Sequence, residues 1–236
     1  MRGLVRLCLF SILLIACGAA GAQDATPKSE ASTAPDARQV SFTFDRKGVP
    51  VGHYRLVVYE NGKGLYEGEE LVTATGYGPA ANQEPRPFKH SMTISAGTAS
   101  KIFSAAERLK RFDVPCASKL KNVADTGTKT LRYEGRDGTG SCTYNFSENK
   151  DVQSLTEIFE GIAETMDTGR KLDQLHRFDR LGLDSTMKYL TDEVSSGRAL
   201  EIGTIAGSLR SIASDTEVMA RVRNRANALL SHVPAE

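Results

Sequence analysis

Apolar and polar residues alternate with a period of two at several places between Gln39 and Ser147, and from Asp151 onward the period becomes that of a helix. "QVSFTF" sets Val40, Phe42 and Phe44 on one side and polar residues on the other, the pattern of a half-buried strand. "GHYRLVVYENGKGLYEGEELV" predicts a hairpin: His53 to Glu60 is rich in β-branched and aromatic residues, Asn61-Gly62 is a strong turn signal, and Leu65 to Val72 is the return strand. The Gly/Pro-rich stretch "GYGPAANQEPRP" predicts a long irregular loop. "FKHSMTI" predicts a further strand, with His90 out of place among Phe88, Met92 and Ile94. Ser95 is an N-cap for a helix carrying Ile102, Phe103, Ala106, Leu109 and Phe112, and Pro115 limits its continuation. "KTLRYEG" and "SCTYNFS" predict a second hairpin across Asp137-Gly138.

After Lys150 every segment reads as helix. Leu155, Ile158, Phe159, Ile162 and Met166 form one stripe, which Gly169 is expected to end. Leu172, Leu175 and Phe178 follow up to a break at Gly182. Further helices are expected over Asp184 to Ser196 and Ala199 to Ala213, and Ser214-Asp215-Thr216-Glu217 is a capping box for the last one. Short amphipathic helices joined by tight breaks pack antiparallel. The expected class is therefore α+β: an antiparallel-sheet domain with one packed helix over residues 39–150, then a helical C-terminal part over 151–236.

The start of the chain changes the picture from fold to location. Arg2 and Arg6 precede an apolar run from Leu7 to Ala16, too short to span a bilayer, so residues 1–22 read as a signal peptide. Ala20-Gly21-Ala22 fits ordinary cleavage before Gln23, while Leu14-Ile15-Ala16-Cys17 resembles a bacterial lipobox with Cys17 as the lipidated residue. The expectation is an exported protein, periplasmic or extracellular, with a membrane-anchored lipoprotein as the alternative. Residues 23–38, "QDATPKSEASTAPDAR", have almost nothing to bury and read as a flexible linker.

The 236 residues carry a formal charge of +1, which becomes −1 once Arg2 and Arg6 are removed. That balance gives no electrostatic footprint for nucleic acid. It also offers no basic patch for anionic lipid, so membrane contact is expected only through Cys17. Cys8 and Cys17 belong to the signal, leaving Cys116 and Cys142, which are expected to pair in an oxidising compartment. No CxxC suggests a redox or metal pair instead.

Asp-Thr-Gly occurs twice, at Asp125-Thr126-Gly127 and Asp167-Thr168-Gly169. Aspartic proteases use two such triplets to hold two carboxylates around one proton. Here the flanks differ, and a turn and a helix end are the expected reading. His53, His90, His176 and His232 show no metal-binding spacing; Asp173, His176 and Asp179 recur every three residues, the mark of a solvated helix face. Glu157, Glu160 and Glu164 read as another such face, and Arg221, Arg223 and Arg225, two apart, as no concentrated anion site. No GxSxG, P-loop or GxGxxG occurs, and no cofactor is expected.

The hairpin "GHYRLVVYENGKGLYEGEE", with the strand, the helix from Ser95 and a second hairpin, resembles bacterial secreted domains of unknown function over residues 50–165. That likeness implies a small α+β domain and no particular activity. "SDTEVMARVRNRANALL" is similar to half of a HEAT-type repeat, through Asp215, Val222-Arg223, Ala226 and Leu229-Leu230. The functional expectation is an exported envelope protein acting as a non-catalytic binding or interaction module for another envelope protein or peptide. The alternatives are a structural envelope component, or a secreted hydrolase whose site is assembled only in the fold, starting from Asp125 with Arg132 and Arg136.

Overall fold

The alternation from Gln39 onward produces β1 (Gln39–Asp45), whose Val40 and Phe42 are fully buried. The computed structural model describes residues 37–72 and 84–233. The signal peptide with Cys17, most of the linker, and residues 73–83, which include most of the long loop, lie outside them. β2 (Val51–Tyr59) and β3 (Lys63–Val72) form the expected hairpin, turning at Gly62, where φ is +79° and a Cβ would stand 2.8 Å from the Ile94 carbonyl oxygen. β4 (Glu84–Thr93) follows, then α1 (Ala96–Arg108), then the hairpin of β5 (Thr128–Gly135) and β6 (Gly138–Tyr144). The strands form one antiparallel sheet in the order β4-β3-β2-β1-β5-β6, as the expected α+β class requires.

Part of the expected loop is strand: Glu84 to Pro87 pair with Val72 to Glu69. Pro85 and Pro87 have no N–H, so they sit where the backbone points away from β3. The Ile94 N–H donates inward to Gly62, which agrees with this phase. The prolines thereby strip donors from the outer edge of β4, and His90, exposed on this edge strand, is not the flaw it looked in sequence.

The β6 edge is covered instead. After α1 the chain makes a left-handed turn in which Lys110, Arg111 and Phe112 have φ of 50°, 59° and 66°. Side chains avoid this conformation at a cost of about 1–2 kcal/mol each. Phe112 is buried, Arg111 pairs with Asp137 at 2.8 Å, and Gly140 lets the Arg111 carbonyl oxygen come within 2.1 Å of where a Cβ would stand. The Cys116–Cys142 disulfide closes beside it, as expected, with Cα atoms 5.8 Å apart.

One sheet face is apolar, with Phe42 in register between Leu56 and Leu131 and Tyr66 beyond Leu56. α2 (Lys150–Phe178) covers it, and its Phe159 stacks on Phe42. The other face carries a charged row, Arg55–Glu67–Lys89, with nitrogen–oxygen distances of 3.6 and 3.3 Å.

Gly169 does not end α2; the helix runs on to Phe178. Gly161 and Gly169 are places of close approach: a Cβ at Gly161 would stand 2.8 Å from Leu200 Cγ, and one at Gly169 2.4 Å from Ile205 Cγ2. α3 (Leu183–Ser195) follows. The helix expected over 199–213 shrinks to α4 (Ala206–Ser214), preceded by a 3-10 turn at Ile202–Ile205. The cause lies in α2: the Leu200 N–H donates to the Gly161 carbonyl and the Leu200 carbonyl accepts from Thr165 Oγ1, so Leu200 cannot join a helix. The expected capping box also fails. Asp215 Oδ1 accepts from the Glu217 N–H, a local turn, and α5 starts at Ala220 and ends at Leu230. The buried core runs unbroken from Val40 on β1 to Leu229 on α5. Among the described residues no helix is long and apolar enough to cross a membrane.

Candidate functional site

The second half of α2 lies over β3 and β4 and is anchored there by Arg170. Its guanidinium donates to Asp167, one turn earlier, at 2.7 Å and to Glu70 of β3, and it lies over the Phe88 ring at 3.8 Å from the centroid. Phe88 pairs across the sheet with Gly68, whose missing side chain leaves room for its ring. Tyr66 follows at 5.0 Å from Phe88, and Tyr54 at 5.7 Å from Tyr66. The Tyr66 hydroxyl is buried and closes no hydrogen bond. Burial first, then the Asp167 charge, push this phenol well above its ordinary range. Burial likewise pushes the Asp167 carboxyl up to about 6; the Arg170 charge pulls it down, and Glu164 and Glu70 push it further up.

Arg170 stands between two adjoining chambers, and Glu70, Lys171 and Gln174 line both with it. The first, of about 430 Å³, is a groove between β4 and the last turns of α2. It holds four cationic side chains, Arg86, Arg170, Lys171 and Arg177, against two carboxylates, Glu70 and Asp173. Arg170 is paired twice, while Lys89 turns to the other sheet face and pairs there with Glu67. Arg86, Lys171 and Arg177 have no ion-pair partner among the described residues. Phe88 and Phe178 supply the aromatic surface, and Phe178 is 82 % exposed. Leu181, three residues on, is 83 % exposed.

The second chamber, of about 800 Å³, opens between α2, α3 and Val49 to Val51. Besides the shared Glu70, Arg170, Lys171 and Gln174, its polar groups are the hydroxyls of Thr168, Ser185, Thr186 and Tyr189 and the carboxylates of Glu164 and Asp167. Tyr189 is 47 % exposed, and its phenol is pushed up to about 12, first by burial and then by Glu164.

Of the residues singled out in sequence, Cys116 and Cys142 meet as a disulfide. Asp125 accepts from the Gly127 N–H at 2.9 Å, and Thr126 bonds to Asn145, so the first Asp-Thr-Gly is a turn. Arg132 pairs with Glu134, and Arg136 sits in the β5–β6 turn. The second Asp-Thr-Gly lies inside α2, not at its end, and Asp167 belongs to the cleft. His176 pairs with Asp215 at 2.8 Å rather than with its own row, and His53 with Asp45. Among the described residues no group of three or more His, Cys, Asp or Glu is placed to hold a metal. Glu164 bonds to Thr168 and lines the second chamber, so it is no simple solvated face. Arg221 and Arg225, four apart, do converge, on Asp184.

Sequence reading missed Arg86, Arg170, Lys171, Gln174 and Arg177. The signal was present in "GRKLDQLHRF", where Arg170, Lys171, Gln174, Arg177 and Phe178 fall at helical spacing, but it vanishes when the helix is cut at Gly169. It missed Lys129 too, whose buried ammonium is held by the Thr126 and Asn145 carbonyls, both at 3.2 Å; desolvation lowers its pKa. No known family model and no curated protein matches this chain.

Proposed function

We propose that this is an exported envelope protein and a non-catalytic binding module, and that its groove between β4 and α2 takes an acidic peptide segment of another envelope component. The observation that carries this is the convergence of the unpartnered Arg86, Lys171 and Arg177 beside the exposed Phe178. Free cations around an aromatic surface match a partner with carboxylates and some apolar bulk. The overall charge is near neutral, so attraction is local to the groove.

The test is titration of the purified protein with a fluorescent Glu/Asp-rich peptide. Binding should weaken as salt rises from about 0.05 to about 0.5 M, because exposed charges are screened. The double variant Lys171→Glu, Arg177→Glu should abolish it, while reversal of Lys188 on the outer side of α3 should not. Absence of binding, or equal loss in both variants, would overturn the reading.

A further inference from the structure

The two chambers differ in chemistry and share a wall. The groove is cationic. The chamber beside it sets three carboxylates against two cations and carries hydroxyls, an amide, an exposed phenol ring and an apolar rim at Val49, Pro50 and Val51. Arg170 is neutralised by Glu70 and Asp167, so the shared wall presents no free arginine charge. What remains available there is the Gln174 amide and the Lys171 ammonium, neither of which makes a hydrogen bond among the described residues. A ligand suited to the second chamber needs many hydroxyls for carboxylate, amide and hydroxyl partners, and a C–H face to lie on a ring. A sugar meets both needs; a second acidic segment would meet repulsion from Glu164 and Asp167.

This inference rests on the acidic-peptide reading of the groove. We propose that the adjoining chambers hold one ligand, a saccharide bearing an acidic peptide, with the peptide carboxylates at Lys171 and Arg177 and the sugar against Tyr189. Gln174, on the dividing wall, faces the junction of the two parts. One ligand across both chambers explains why a cationic groove ends in a hydroxyl-lined recess.

Calorimetric titration with three probes tests this: an N-acylated amino sugar carrying a short peptide with two free carboxylates, the same peptide with an acetyl cap, and the sugar alone as its methyl glycoside. The glycopeptide should bind about tenfold more tightly than the capped peptide. Tyr189→Ala should erase that tenfold gain and leave the capped peptide's affinity unchanged. Tyr189→Phe, which keeps the ring, should retain most of the gain, and this guards against a mere folding defect. Equal affinity for glycopeptide and capped peptide would overturn the shared-ligand inference and leave the acidic-peptide reading intact. Failure of both to bind would overturn both.

Discussion

The rings of Phe42 on β1 and Phe159 on α2 lie parallel, 2° from coplanar, with centroids 5.2 Å apart. Both are fully buried, and they join an inner strand of the sheet to the first half of the longest helix. Removing one ring loses its burial and leaves a cavity that a stiff sheet cannot fill. Phe159→Ala should cost about 3–5 kcal/mol in urea unfolding, and Phe159→Leu, which refills part of the space, clearly less.

The Cys116–Cys142 bridge spans 26 residues. Replacing both cysteines with serine should cost about 2–4 kcal/mol, chiefly by freeing the unfolded chain. A local effect is expected too. The left-handed turn at Lys110, Arg111 and Phe112 is held against β6 next to this bridge, so amide exchange there should rise more than in α4 or α5.

Glu201 holds a left-handed conformation, φ 57°, while its carboxylate reaches the start of α1. It accepts from the Ser95 N–H at 2.7 Å and the Ser95 hydroxyl at 2.8 Å, and from Thr98 Oγ1. A carboxylate at a helix N-terminus is favourable, and a side chain at positive φ is not. The two effects separate by substitution. Glu201→Ala should destabilise by about 1–2 kcal/mol, having lost the contact and kept the strain. Glu201→Gly should lose less, because glycine adopts this φ freely. Thermal melts of the two variants give the comparison, and a Gly variant less stable than the Ala variant would contradict it.

Asp167 titrates near pH 6 in the folded protein against an ordinary value of 3.8. The folded state therefore holds this proton more tightly than the unfolded one. Between about pH 4 and about pH 6 its contribution makes stability fall as pH rises, and above that window the penalty is constant. Asp167→Asn should remove this slope and make the variant gain relative to wild type as pH rises through the window. Urea midpoints across the range provide the measurement. An identical pH profile in the two proteins would show that Asp167 titrates normally.

Residues 1–36 hold the remaining question of release or anchoring. On the soluble reading, Cys17→Ser should leave fractionation and the mature N-terminus at Gln23 unchanged. Accumulation of uncleaved precursor in that variant would establish lipidation at Cys17 instead.

The sheet was legible because Val40 and Phe42 alternate with polar neighbours, His53 to Glu60 is rich in β-branched and aromatic residues, and Asn61-Gly62 and Asp137-Gly138 mark the turns. The helices were less so. Gly161 and Gly169 carry opposite meanings depending on what packs on them, and their partners, Leu200 and Ile205, lie more than thirty residues away in sequence. The same distant contacts cut the fourth helix short. The cleft was not legible because Arg86 and Arg177 come from separate elements, and no local pattern brings a β-strand edge under the end of a helix. Asp167 was noticed for a motif it does not serve, and its environment comes from burial against distant elements that no local pattern announces.

The chain enters the fold at Arg38, which is tied to Glu60 and Glu107, and passes at once into β1. β1 is an inner strand, paired over seven residues with β2 on one side and seven with β5 on the other. A pull on the leading segment, as when an anchored protein holds a ligand fixed elsewhere, is thus applied along β1. Both ladders then resist in shear, many bonds at once, instead of peeling one by one as they would at an edge. A load from that end would be met by an inner strand held on both sides, the strand that also carries the Phe42–Phe159 contact.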